Sequence, residues 1–204
     1  MSSFTYERHE IKQALETYEW DNVWIDHAND LTTPRVLYVG DSISCGTRRI
    51  ATQMANDRIY FDGFGTSKAL DNPFLCEALF LFAKQQPKQD AVIINNGLHG
   101  WHLDDEVEYP QHYRATLARI LDFFGNKPVF LVLTTSVADA EREKRVQKRN
   151  QAVLDIAKDQ NLPVIDLYSV SVKYKSLRAS DGVHFTQAGY EKLAEAIVDR
   201  VKSV

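Results

Sequence analysis

Ser42 ends a short apolar run, Val36-Leu37-Tyr38-Val39-Gly40-Asp41-Ser42, just before the pattern turns helical. That puts a hydroxyl at a strand-to-helix turn, where backbone N–H groups and the helix dipole favour negative charge. A serine hydroxyl is a weak nucleophile at neutral pH. It needs an imidazole to take its proton, and the imidazole needs a carboxylate on its other nitrogen. Both residue types stand together near the far end of the chain, in Asp181-Gly182-Val183-His184. Across a glycine that lets the backbone bend, Asp181 and His184 can turn their side chains the same way. Thr186 then serves as the N-cap of a final helix. An Asp-x-x-His pair by itself says little; its weight comes from Ser42. The chemistry these types suit is nucleophilic catalysis with Ser42 as the attacking hydroxyl.

For the two ends to meet, the chain between them must fold back. Strand-like runs occur near 35–40, 58–62, 90–95, 128–134 and 163–167. Helix-period segments lie between and after them, near 43–56, 72–86, 105–124, 139–160 and 186–203. Strands alternating with helices imply right-handed crossovers and a parallel sheet covered on both faces. The runs at 91–94 and 129–133 are apolar at nearly every position, which marks central strands. Gly125-Asn126 ends a helix pattern, and Pro128 and Pro163 open strands. Residues 7–18 read as a short amphipathic helix. Residues 19–34 read as a connecting arm whose Trp20, Trp24, Ile25 and Ala28 pack against the sheet edge. No repeat or linker divides the chain, so residues 1–204 are expected to form one domain, with 1–34 packed on it. The charge-dense segment from Glu141 to Arg149 reads as a solvated helix face.

In a parallel sheet, ligands bind outside the C-terminal strand ends. Ser42 lies there, with Gly63-Phe64-Gly65-Thr66-Ser67, Asn95-Asn96-Gly97-Leu98-His99-Gly100 and the Asp181–His184 turn.

Composition narrows the partners. Lys and Arg number 24 against 28 Asp and Glu, a formal net charge of −4. No basic stripe argues for nucleic acid, and the acidic balance argues against an anionic membrane surface. Cys45 and Cys76 make no disulfide framework and point to a reducing compartment. Cys45, just past Ser42, reads as a small core residue. The first ten residues contain no apolar signal region, and no run approaches the ~20 apolar residues of a membrane span. A cytoplasmic location is expected.

Gly40-Asp41-Ser42-Ile43-Ser44 and Asp181-Gly182-Val183-His184 resemble the first and last blocks of the SGNH (GDSL-type) hydrolase family. The resemblance runs from about residue 35 to the end. It implies a three-layer α/β/α flavodoxin-like fold with a five-stranded parallel sheet in the order 2-1-3-4-5. It implies ester hydrolysis through an acyl-enzyme, with no metal and no cofactor. By position it makes Ser42 the nucleophile, His184 the general base and then acid, and Asp181 its orienting partner. Asp41 becomes a structural partner of the loop. The implied oxyanion site takes the N–H of the serine, the N–H of a glycine after the second strand and an asparagine side chain after the third. Gly65 matches that glycine best, with Gly63 as the fallback. The other reading of either is a turn glycine needing positive φ.

The third block departs from the family pattern of Gly-x-Asn-Asp. Here it reads Gly97-Leu98-His99-Gly100, so His99 stands where the asparagine would. A neutral imidazole with its proton on the inward nitrogen can donate one hydrogen bond to an oxyanion, as an amide can. The alternatives are an amide from Asn95 or Asn96 at the strand end, with His99 structural. His99 with His102 as a metal pair lacks a third ligand.

The segment 99–112 borders the site with His99, Trp101, His102, Asp104, Asp105, Glu106 and Tyr109. Aromatics among acids suit a polar, ring-shaped ligand such as an acetylated sugar, and no long apolar lid favours a long-chain lipid. Trp101 reads otherwise as a pocket wall packed on the helix at 111–124. Proteins with a similar Gly-Leu-His stretch are regarded mostly as carbohydrate or small-molecule esterases. The expectation is hydrolysis of short-chain, acetyl esters of a small-molecule substrate, with activity rising as His184 loses its proton. The rivals are an acyltransferase on the same triad and a non-catalytic carbohydrate-binding protein of the same fold. A nucleotide-binding domain is disfavoured, since Gly63-Phe64-Gly65 is only a fragment of a phosphate loop.

Overall fold

The computed structural model describes residues 15–86 and 88–202. Its elements run β1 (Asp21–Trp24), β2 (Arg35–Gly40), α1 (Ser42–Met54), β3 (Tyr60–Thr66), α2 (Leu75–Ala83), β4 (Ala91–Ile94) and α3 (Glu108–Phe124). They continue with β5 (Val129–Leu133), α4 (Ala140–Gln160), β6 (Val164–Asp166), α5 (Leu167–Lys173), a 3₁₀ turn at Lys175–Leu177 and α6 (Gln187–Val201). The strands form one sheet in the order β1-β3-β2-β4-β5-β6. From β2 onward every pairing is parallel, and those strands alone follow the expected 2-1-3-4-5 order.

Among the described residues the sheet has six strands rather than five. The extra strand, β1, lies in the stretch read as a connecting arm and runs antiparallel to β3, with Asp21 opposite Thr66 and Trp24 opposite Gly63. All four of its residues are exposed, so backbone pairing rather than a buried face makes it a strand. β3 is also longer than its apolar run suggested. It continues through Gly63 and Gly65, both extended. Of the helix expected over 7–18, residues 7–14 lie outside the described residues, and 15–18 form bends and coil. α5 was not anticipated. Asp166 caps it by accepting the Ser169 N–H at 2.9 Å, but its seven residues are too few to show a period.

Alternation along β2 assigns the two cores. Val36 and Tyr38 point to the layer holding Ile43 and Ala51 of α1 and Leu193, Ala194 and Ile197 of α6. Leu37 and Val39 point to the opposite layer, with Leu79 of α2, Leu117 and Ile120 of α3 and Val153 and Ile156 of α4. β2, β4 and β5 are buried at every position, as central strands require. Among the described residues no helix is long and apolar enough to cross a membrane.

The charge-dense segment is only partly a solvated face. Glu141, Lys144 and Lys148 are exposed, but Arg149 is wholly buried. The helical period turns Arg142, Arg145 and Arg149 toward the loop after β4.

Candidate active site

Ser42 opens α1 directly after β2. Asp41 caps that helix: its Oδ1 accepts the Ile43 N–H at 2.9 Å, and its carbonyl accepts the Ser44 hydroxyl at 2.7 Å. These bonds hold the turn that presents Ser42, the loop role read from the sequence. Asp41 is buried. Burial pushes its carboxyl above the usual range, against the pull of the nearby His99 and His184.

The structure brings Ser42, His184 and Asp181 together. His184 Nε2 lies 2.7 Å from Ser42 Oγ, across 142 residues of sequence. His184 Nδ1 lies 2.8 Å from Asp181 Oδ2. The other carboxylate oxygen accepts the backbone N–H groups of Val183 and His184, each at 2.9 Å, which locks the turn on itself. Gly182 takes a φ of 79°. Its carbonyl accepts the Ala138 N–H at 2.8 Å, which ties the turn to the loop after β5. Burial would raise the Asp181 carboxyl. Hydrogen bonds from Val183 N–H, the His184 ring and His184 N–H outweigh it and hold the group below its ordinary value. A carboxylate on Nδ1 places the ring proton there and leaves Nε2 to accept from the serine hydroxyl. The arrangement can therefore draw the proton from Ser42 as its oxygen attacks.

Two close approaches set this geometry. A Cβ at Gly46 of α1 would fall 2.3 Å from the Tyr190 ring of α6, so only glycine lets the two helices meet there. A Cβ at Gly65 would fall 2.3 Å from the Cys45 sulfur. Among the described glycines positive φ occurs at Gly100, Gly125 and Gly182, so the turn reading of Gly63 and Gly65 is corrected. Glycine stands at both because α1 presses on β3, with Arg48 over Gly63 and Cys45 over Gly65. Cys45 and Cys76 are free, and burial pushes both thiols up.

After β4 the two asparagines part. Asn95 donates its side-chain amide toward β5, to Val132 O at 3.1 Å and Thr134 Oγ1 at 3.0 Å. Asn96 donates to Lys68 O at 2.8 Å, and its own carbonyl accepts the Tyr109 hydroxyl at 2.6 Å. The Asn96 amide thus joins the loop after β4 to the loop after β3. His99 is buried on the side of Asp41, edge-on to Trp20, with Nδ1 3.7 Å from Glu16 Oε1. His102 pairs with Asp71 at 2.8 Å, and among the described residues no three potential metal ligands gather.

Trp101 is buried, but against α4 rather than the helix at 111–124. The guanidinium carbons of Arg145 and Arg149 lie 5.1 and 4.4 Å from its ring. An electron-rich ring attracts the cationic face of α4. Sequence reasoning put Arg149 on a solvated face, whereas it is buried beneath the loop after β4; arginines at 142, 145 and 149 keep the helical spacing that would have grouped them. Sequence reasoning passed over Glu16 and Glu19, which bind Gly100 N–H at 2.9 Å and the Ser67 hydroxyl at 3.0 Å. Neither has a local pattern to betray it.

The model of the GDSL-like lipase/acylhydrolase family matches residues 38–192, a span running from the Ser42 block through the His184 block. The chain belongs to this family. This GDSL-family protein is accordingly a carboxylic ester hydrolase. Among curated proteins none matches its sequence. Its fold is shared with a lipase/acylhydrolase from Enterococcus faecalis (TM-score 0.67, 21% identity, 83% of this chain and 96% of that one). It is shared also with an acetyl xylan esterase, AlAXEase (TM-score 0.65, 18% identity, 82% and 99%). A third is the C-terminal catalytic domain of peptidoglycan O-acetyltransferase A from Streptococcus pneumoniae (TM-score 0.65, 16% identity, 84% and 94%).

Proposed function

We propose that this hydrolase removes short acyl groups, acetyl above all, from a carbohydrate or other polar small molecule through an acyl-enzyme on Ser42. The observation that carries the reading is the continuous relay from Ser42 Oγ to His184 at 2.7 Å and on to Asp181 at 2.8 Å. Ser42 Oγ attacks the ester carbonyl as His184 Nε2 takes its proton. The backbone N–H of Ser42 and the His99 side chain hold the oxyanion, with Asn96 bracing the loop. Gly65, the glycine the resemblance offered as a donor, stands opposite Asn22 in the antiparallel β1–β3 pairing, which takes up its N–H instead. Collapse expels the alcohol, which takes the proton from His184. Water then attacks the acyl-enzyme with His184 as base, releasing the acid and restoring Ser42. Asp181 stays ionised throughout and supports the imidazolium.

The acetyl preference draws on the neighbours named as an acetyl xylan esterase and an O-acetyltransferase. The O-acetyltransferase neighbour favours a second reading, in which an acceptor alcohol replaces water. The free cysteines fit a reducing cytoplasm.

A panel of p-nitrophenyl acetate, butyrate and longer esters beside acetylated sugars tests the acyl length. Turnover should be highest on acetyl and fall as the chain lengthens; a preference for long chains would overturn the reading. A fluorophosphonate probe should label the wild type and not Ser42→Ala. Labelling that persists in that variant removes Ser42 as nucleophile. Added alcohol separates the two activities: acyl transfer that outruns hydrolysis favours the transferase.

A further inference from the structure

The turn that carries His99 is gripped from below by a buried cation. Arg149 has no solvent exposure. Its Nη1 donates to the carbonyls of Gly97 at 3.1 Å and His99 at 2.7 Å, and its Nη2 to the carbonyl of Gly100 at 2.8 Å. Its Nε donates to Asp105 Oδ1 at 2.7 Å. The guanidinium also lies over the rings of Trp101 and Tyr109, 4.4 and 4.6 Å from their centroids. Asp105 has a second cation in Arg145, so charge neutralisation does not require Arg149. The spread of Arg149 over three main-chain oxygens of residues 97–100 serves that turn. From the other side the Gly100 N–H donates to Glu16 at 2.9 Å, and Gly100 takes a φ of 66°. Its peptide groups are thus held on both sides, in a conformation glycine alone takes easily.

Three carbonyls converging on one fork-shaped cation admit few backbone conformations. Lysine, with one rotatable ammonium, cannot meet the same set. The His99 carbonyl is itself one of the three, so the bond reaches the backbone from which the imidazole extends. An oxyanion donor works only when it is held where the charge develops, and small displacements cost much of the rate.

We propose that Arg149 is a positioning residue for ester hydrolysis, setting the His99 imidazole at the oxyanion site by holding the carbonyls of the 97–100 turn. It acts through His99 and rests on the reading that His99 donates to the oxyanion.

The test is a double-mutant cycle on p-nitrophenyl acetate, with fold content followed by circular dichroism. Arg149→Lys should lower kcat about 10- to 100-fold while KM changes less than about threefold. The pH midpoint of the activity should stay in place. In a His99→Ala background, Arg149→Lys should cost less than about threefold more, because the donor it positions is gone. A folded Arg149→Lys with wild-type kcat, or losses that multiply in the double variant, would overturn the proposal and leave Arg149 a purely structural residue. If Arg149→Lys does not fold, Asp105→Asn takes its place, keeping the arginine but weakening its anchor. It should show a smaller loss that likewise disappears beside His99→Ala, and full activity there counts against the proposal. Wild-type turnover in His99→Ala would remove the oxyanion reading itself and with it the route for Arg149. Loss in His99→Ala with none in Arg149→Lys removes only the role of Arg149.

Discussion

At the scale of single residues, the roles divide by the company each side chain keeps. Asp181 binds its own turn with one oxygen and His184 with the other. Asparagine would keep much of that geometry but could not stabilise an imidazolium. Asp181→Asn should therefore lower kcat by up to the order of 10⁴, with KM little changed. Near-wild-type kcat would show that the imidazole needs no anionic partner. Because Asp181 is held below its ordinary value, it remains a carboxylate at pH values where a free one begins to protonate. The acid limb of the activity should then carry no Asp181 ionisation above pH ~4, and a carboxylate-like step there that vanishes in Asp181→Asn would contradict this. His99→Ala should cost about 10²–10³ in kcat, whereas His99→Asn, which restores a side-chain donor, should keep much of the rate. Equal rates in both variants and the wild type would assign the donor elsewhere.

At the scale of elements, the distance from Ser42 to His184 is a helix-packing distance. α1 carries the serine, α6 follows the histidine, and they touch where Gly46 faces Tyr190. Gly46→Ala puts a methyl group 2.3 Å from an aromatic ring that is held between elements. Overpacking of this kind costs about 1–3 kcal/mol. It should lower Tm and, by parting the helices, also lower kcat. Shrinking the ring in Gly46→Ala/Tyr190→Leu should recover part of both. Thermal unfolding and steady-state kinetics on the two variants decide this, and a single variant with unchanged kcat would show that the pair tolerates the shift. Gly65 plays the matching part between α1 and β3, where the Cys45 sulfur takes the space of a side chain.

At the scale of the whole molecule, buried charge ties the layers together. Arg35 and Asp62, both fully buried and 3.0 Å apart, join β2 to β3. Arg35 also holds the carbonyls of Asp26, His27 and Asp30, which lie between β1 and β2. Asp105 joins the loop after β4 to α4. Burial would raise its carboxyl, but Arg145 and Arg149 outweigh it and hold it below the ordinary value. A carboxyl whose folded pKa is depressed stabilises the protein above its unfolded value and loses that contribution as pH falls through the folded one. From neutrality down to pH ~5 this contribution should be constant, and it should fade below about pH 4. Tm measured against pH should show Asp105→Asn well below wild type at neutrality, with the gap closing on acidification. A gap that stays constant to pH 3 would mean that packing, not charge, accounts for the difference.

Contiguous residues alone placed the five parallel strands, the Gly40-Asp41-Ser42 turn and the Asp181–His184 pair, whereas the order of the strands came only with the family resemblance. Buried strands need apolar runs, and a helix start or a tight turn needs its cap and its glycine within a few positions. Tertiary structure alone decided the rest. β1 is exposed on all four residues and exists through pairing with β3, so no hydrophobic pattern announces it. Gly65 is a glycine because α1 lies against it, not because its backbone turns. Arg149 sits in a segment that by composition belongs in water. It is buried because the loop after β4 offers it three carbonyls and a carboxylate at once. A buried cation is tolerable only where its partners converge, and that convergence comes from residues 50 positions away along the chain.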